Sequence, residues 1–239
     1  FHTQDLIAIR SADGYEEQMM TEAKVMPSFA KRREKIVHDV TEGARAIGGE
    51  AIMPEDLIDE VTALTEWPVI YQSSFEEQFL KVPQECLILT MQQNQKYFAA
   101  QDEKGRLMNR FFLVSQLEAK DGGKAISAGN ARVVRARLAD AKFFYDQDQL
   151  QTLESRIPQL KNVVYHNKLG TQAERVERVK AIAAQVADLI GANRDEAVRA
   201  AQLAKVDLLT LMVGEFPELQ GIMGCLLYTS DAADDRISV

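Results

Sequence analysis

Little in this sequence suits metal binding or disulfide closure. It has two cysteines, Cys86 and Cys225, far apart in the chain, and three histidines. That excludes a disulfide framework and a cysteine-rich zinc site, and it fits a reducing compartment. No apolar run approaches the roughly 20 residues a membrane helix needs. No signal-peptide pattern stands at the start. Positive charge is short as well: 28 Lys and Arg against 36 Asp and Glu leave a net charge of −8. No global basic field therefore draws nucleic acid, and any RNA contact must come from a local patch. Catalytic signatures are missing in the same way. There is no Gly-x-Gly-x-x-Gly, no P-loop, no Gly-x-Ser-x-Gly elbow and no plausible Cys–His pair. Gly122-Gly123 reads as a turn, because no Lys-Ser/Thr pair follows it.

What is present is ordinary globular material: 239 residues, 46% hydrophobic and 27% charged, enough for one large domain or two modest ones. The chain opens on Phe1, which reads as a piece of a longer protein. Residues 15–47 predict helix, interrupted at Pro27 and stopped at Gly48-Gly49. Phe29, Ile36, Val40 and Ile47 form its apolar stripe. A second helix starts near Pro54, with Leu57, Val61 and Leu64 on one side. Then "WPVIYQSSF", "CLILTM", "KYFAAQ" and "RFFLVSQ" predict the strands of an antiparallel sheet across 67–117, with a hairpin turn at "DEKGRL".

From Gly129 onward the pattern is helical. One helix follows the Gly-Asn pair to about Asp148. Another starts at the capping box Thr171–Glu174, with Val176, Val179, Ala183, Val186 and Ile190 on one face. A third runs from the cap Asn193 to Pro217. The break near 150–160 is the expected domain boundary. After Gly224, "CLLYTSDAADDRISV" follows no earlier periodicity; residues 225–239 read as a non-native tail, with a genuine acidic tail as the alternative.

The strongest local signal is "GNARVVRARLADAKFFYDQD", residues 129–148. On a helix, Val134, Leu138, Ala141 and Tyr145 share a face that would bury. Arg132, Arg135 and Arg137 remain, and three readings stand. Their guanidinium forks match phosphate bidentately and suit an RNA backbone. Alternatively they pair with Asp140, Asp146 or other acids on a packed helix, or they are ordinary solvated helix surface. His38-Asp39 could supply two ligands of a metal-dependent phosphohydrolase, but His2 and His166 show no convergence on it, so no metal site is expected. Asp207, inside "KVDLLTLMVGEFPELQGIMG", is either a satisfied buried acid or a degenerate metal ligand.

Four stretches carry a family resemblance: "EWPVIYQSSFEEQFLKVPQECLILTMQQNQKYFAA", "GNARVVRARLADAKFFYDQD", "LGT" at Leu169–Thr171, and "KVDLLTLMVGEFPELQGIMG". In order and spacing they resemble the β subunit of bacterial heterotetrameric glycyl-tRNA synthetase, over roughly residues 1–224, as an internal piece. The resemblance implies an α+β fold. Residues 1–150 would be a B3/B4-like module of N-terminal helices plus antiparallel sheet, and 151–224 the start of an all-helical, HD-like domain. It implies a cytoplasmic α2β2 enzyme that joins glycine to tRNA(Gly), with ATP and Mg2+ acting at the α subunit. The partners would be the α subunit and tRNA, with no membrane. No catalytic residue is expected in this piece, and Arg132, Arg135 and Arg137 are its candidate RNA contacts. The alternatives are an HD-type metal-dependent phosphohydrolase fragment and a pure assembly module that docks α.

Overall fold

A computed structural model describes the backbone of residues 6–237 and the side chains of 6–229. The chain divides into two compact units, Phe1–Ala139 and Asp140–Val239.

The first unit opens with α1 (Tyr15–Gln18), which widens into a π-helical turn at Met19–Ala23 and stops at Lys24 in the left-handed region. Helix α2 (Phe29–Ala46) follows Pro27, capped by the Ser28 hydroxyl. Then come β1 (Glu50–Ile52), α3 (Glu55–Leu64), β2 (Val69–Ser74), α4 (Gln84–Gln95), β3 (Phe98–Gln101) and β4 (Leu107–Ser115). The four strands form one antiparallel sheet in the order β1-β3-β4-β2. The architecture is therefore mixed helix and sheet. Ile36, Val40 and Ala44 of α2 join Leu57, Ile58 and Val61 of α3 over Phe98, Ala100 and Phe112. Strand alternation turns Ala99, Phe111 and Leu113 to the opposite face, and these are buried too, so the sheet is covered on both sides.

Three expectations for this unit need correction. "CLILTM" is no strand; it lies inside α4. A short apolar run does not distinguish strand from helix. Pro83 in the preceding N-cap position and a 12-residue length settle it as helix. Strand β1 had no visible signal, being three residues long and paired only with β3. Phe29 and Leu64, expected on buried stripes, are exposed.

Helix α5 (Lys124–Asp148) carries the chain from the first unit into the second. It starts five residues before the expected Gly129, because Asp121 accepts the N–H groups of Gly123 (3.0 Å) and Ala125 (2.8 Å) and nucleates the first turn. The second unit continues with α6 (Leu153–Arg156), a 3-10 turn at Ile157–Asn162, the hairpin β5 (Val164–His166) and β6 (Gly170–Thr171), and α7 (Gln172–Ile190). Then come α8 (Arg194–Leu203), α9 (Leu211–Glu215) and α10 (Ile222–Ile237). The capping box at Thr171 and Glu174 forms with both reciprocal bonds. The single helix expected from Asn193 to Pro217 is in fact broken: Lys205 leaves helical geometry, and the Thr210 hydroxyl caps a new start at α9. On α7, Val176 is buried, but Val179, Val186 and Ile190 are exposed. The buried face uses the smaller Ala184 and Ala187 instead. Helix α10 crosses Gly224 without interruption, and Leu227 within it is buried; the final residues of the expected tail, 238 and 239, lie outside the described residues.

Candidate functional site

The arginine helix is held at its root by one aromatic ring. The Tyr71 hydroxyl donates to the Leu117 carbonyl and accepts from the Ala119 N–H, both at 2.8 Å. Gly123 sits against that ring with φ +82°; a Cβ there would come within 2.1 Å of Tyr71 Cε1. Ser127 and Ser73 exchange further bonds with this region: Ser73 Oγ donates to Ser127 O and Ser127 Oγ to Gln72 O, both 2.9 Å. The Tyr97 hydroxyl, whose pKa burial pushes up, donates to Asn130 Oδ1. These contacts fix the rotation of α5 about its axis, and so the direction each arginine takes.

Val134, Leu138 and Ala141 are buried, as the periodicity predicts, while Tyr145 is half-buried. All three arginines are exposed. They do not form a single cluster. At about 100° per residue, Arg132 and Arg135 lie roughly 60° apart, whereas Arg137 is about 140° from Arg132. Arg135 is engaged by Glu76. Among the described residues neither Arg132 nor Arg137 has an ion-pair partner, and Asp146 is taken by Lys142. The pairing of arginine with Asp140 or Asp146 therefore does not form, and the acid that is used lies 59 residues upstream.

His38 Nδ1 lies 3.0 Å from Asp39 Oδ1, and Asp39 also binds Lys35 at 2.5 Å. Burial alone would raise the Asp39 pKa, but the Lys35 and His38 contacts outweigh it and hold the carboxyl low. Among the described residues no three His, Cys, Asp or Glu side chains gather in a metal-binding group. A largely apolar cavity of about 480 Å3 in the second unit is lined by Leu153, Ala200, Leu203 and Tyr228 among others. Its one guanidinium, Arg199, is already held bidentately by Glu154 at 2.7 and 2.9 Å.

Two buried acids in the second unit act as long-range helix caps. Asp148 accepts the N–H groups of Leu211 and Met212, both at 2.9 Å, at the start of α9. Arg156, equally buried, lies 3.7 Å from that carboxylate and donates to the carbonyls of Asp148 (2.6 Å) and Gln151 (2.7 Å). Asp207 Oδ2 accepts from Gly221 and Gly224 N–H at the start of α10, and Oδ1 finds no partner among the described residues. Asp207 is thus bound on one oxygen. The Asp148–Arg156 pair escaped sequence reading. A lone acid at a helix end and an arginine eight residues on look like solvated surface.

Comparison with known proteins follows the same line. Residues 1–238 match the family described as Glycyl-tRNA synthetase beta subunit. The chain is similar to the glycine–tRNA ligase beta subunit of Neisseria meningitidis serogroup B, 58% identical over 97% of this chain and 34% of that protein. It is similar to that of Ralstonia nicotianae, 53% identical over 98% and 33%, and to that of a Janthinobacterium species, 56% identical over 92% and 32%. The chain therefore spans about a third of the length of the curated relatives it matches.

Proposed function

This chain belongs to the glycyl-tRNA synthetase beta subunit family, and from that premise we propose that it is the section of a glycine–tRNA ligase β subunit that supports tRNA binding and assembly. The whole enzyme attaches glycine to tRNA(Gly) at the expense of ATP, with the aminoacylation site on the α subunit and the complex an α2β2 assembly in the cytoplasm. The observation that carries this reading is 58% identity along 97% of the chain to a protein of that name. ATP and Mg2+ belong with α in this account. That placement follows from the family reading, and no step of that chemistry is assigned to the residues of this section. Among the described residues no helix is long and apolar enough to cross a membrane.

Within this section residues 1–150 are assigned to the B3/B4-like module and 151–224 to the beginning of an HD-like domain, whose helices are joined by the β5–β6 hairpin rather than being its only elements. The proposed roles of the three arginines differ. Arg132 and Arg137, exposed and without a carboxylate partner among the described residues, offer guanidinium forks to tRNA phosphates. Arg135, engaged by Glu76, holds α5 to the segment that follows β2. The test is reconstitution: full-length β subunit and α subunit, separately and mixed, are assayed for glycyl-tRNA formation with ATP and glycine. Charging that requires both is the expected result. Full charging by α alone removes the supporting role.

A further inference from the structure

The end of the 3-10 turn at Ile157–Asn162, the hairpin β5–β6 and the first turns of α7 form a second local reversal of the chain's acidity. Residues 161–180 hold five bases, Lys161, Lys168, Arg175, Arg178 and Lys180, against two acids, Glu174 and Glu177. Both acids are already occupied. Glu174 Oε2 accepts the Thr171 N–H at 2.7 Å in the capping box, and Glu177 holds Lys180 at 2.9 and 3.2 Å. Lys161 and Lys168 are exposed and have no ion-pair partner among the described residues. The surface is also pre-shaped. Arg175 lies over the ring of Tyr165, Cζ to centroid 4.4 Å, and Arg178 donates to the Leu169 carbonyl at 3.1 Å, so two guanidinium groups are pinned to the hairpin. Gly170, with φ +90°, brings the hairpin so close to the capping carboxylate that a Cβ would lie 1.8 Å from Glu174 Oε2. Six consecutive residues, 164–169, are exposed, and among them Tyr165 presents a half-free aromatic ring.

We infer that this hairpin and the 3-10 turn leading into it form an RNA-contact surface: Lys161 of the turn and Lys168 of the hairpin face tRNA phosphates, and Tyr165, backed by Arg175, offers a stacking platform to an unpaired base. The chemistry is that of sequence-tolerant RNA binding, in which cations track the backbone and an aromatic face takes a base. The inference rests on the tRNA-binding reading above, but uses residues on a different unit from Arg132 and Arg137.

The experiment uses the full-length β subunit with its α partner and tRNA(Gly), titrated between 50 and 200 mM salt. In the Lys161→Ala/Lys168→Ala variant the slope of log affinity against log salt falls by roughly 1.4 to 1.8, at about 0.7–0.9 per phosphate lost. Tyr165→Ala weakens binding with the slope preserved, and Tyr165→Phe restores it. A double variant that binds with the parent slope overturns the inference. So does one that keeps the slope but no longer co-elutes with α, since the hairpin is then a protein contact. If the unmodified enzyme itself fails to bind tRNA, the tRNA-binding reading fails instead.

Discussion

Gly123→Ala tests whether one tyrosine ring sets the arginine helix, and Gly122→Ala is its built-in control. Both glycines have positive φ, +69° at Gly122 and +82° at Gly123. An alanine at either costs about 1–2 kcal/mol for left-handed backbone. At Gly122 nothing lies within 4 Å of the new methyl, so the cost stops there. At Gly123 the methyl would stand 2.1 Å from Tyr71 Cε1, and ring and loop cannot both stay. Moving the ring breaks the Tyr71 bonds to Leu117 and Ala119, each about 1 kcal/mol. Gly123→Ala is therefore worse than Gly122→Ala by about 2 kcal/mol. In urea denaturation, with a slope of about 1–3 kcal/mol per molar, that separates the midpoints by roughly 1 M. Adding Tyr71→Ala to each glycine variant should reduce the difference to near zero. Equal midpoints for the two single variants would refute the reasoning, because the ring would then not restrain α5.

Arg156→Met leaves the buried Asp148 carboxylate without its countercharge and the Asp148 and Gln151 carbonyls without their donor, and should destabilise the second unit by about 3–5 kcal/mol. Pairing it with Asp148→Asn should recover part of the loss in thermal melts. The carboxyls of Asp102, Asp121 and Glu154 are held below the usual carboxylate range, by the Arg106 N–H, the Ala125 N–H and the Arg199 guanidinium respectively. A folded pKa below the unfolded one stabilises fully above the unfolded value, about 4. Stability should thus be flat at neutral pH and decline as pH falls through those lowered values, with carboxyl NMR titrations of the three residues giving the midpoints. Leu138→Ala, fully buried on α5, should cost about 2–5 kcal/mol in denaturant titration. Ile182→Asp, 61% exposed on α7, should stay within about 0.5 kcal/mol in this chain.

Periodicity read well wherever a helix buries one apolar stripe. Ile36 and Val40 on α2, and Val134, Leu138 and Ala141 on α5, fell where the 3.6-residue repeat puts them. The capping box at Thr171 was legible because both of its bonds are local. It read less well on α7, where two faces compete. The large residues Val179, Val186 and Ile190 outweigh Ala184 and Ala187 in any hydrophobic pattern, yet the alanines allow the closer packing and are the ones buried. Long-range partners were not legible at all. Nothing local in the sequence says that Arg135 pairs with Glu76, or that Asp148 caps a helix 63 residues later. The direction of Arg137 away from Arg132 was implicit in their spacing of five, and became meaningful once the buried face of α5 was fixed.

The central claim, that this section of the β subunit grips tRNA through free guanidinium groups on α5, is tested most directly by the salt dependence of tRNA(Gly) affinity. In the full-length enzyme, Arg132→Ala/Arg137→Ala should lower the slope of log affinity against log salt by roughly 1.4 to 1.8. Arg135→Ala should leave the slope near the parent value. A double variant whose slope equals that of the parent contradicts the account.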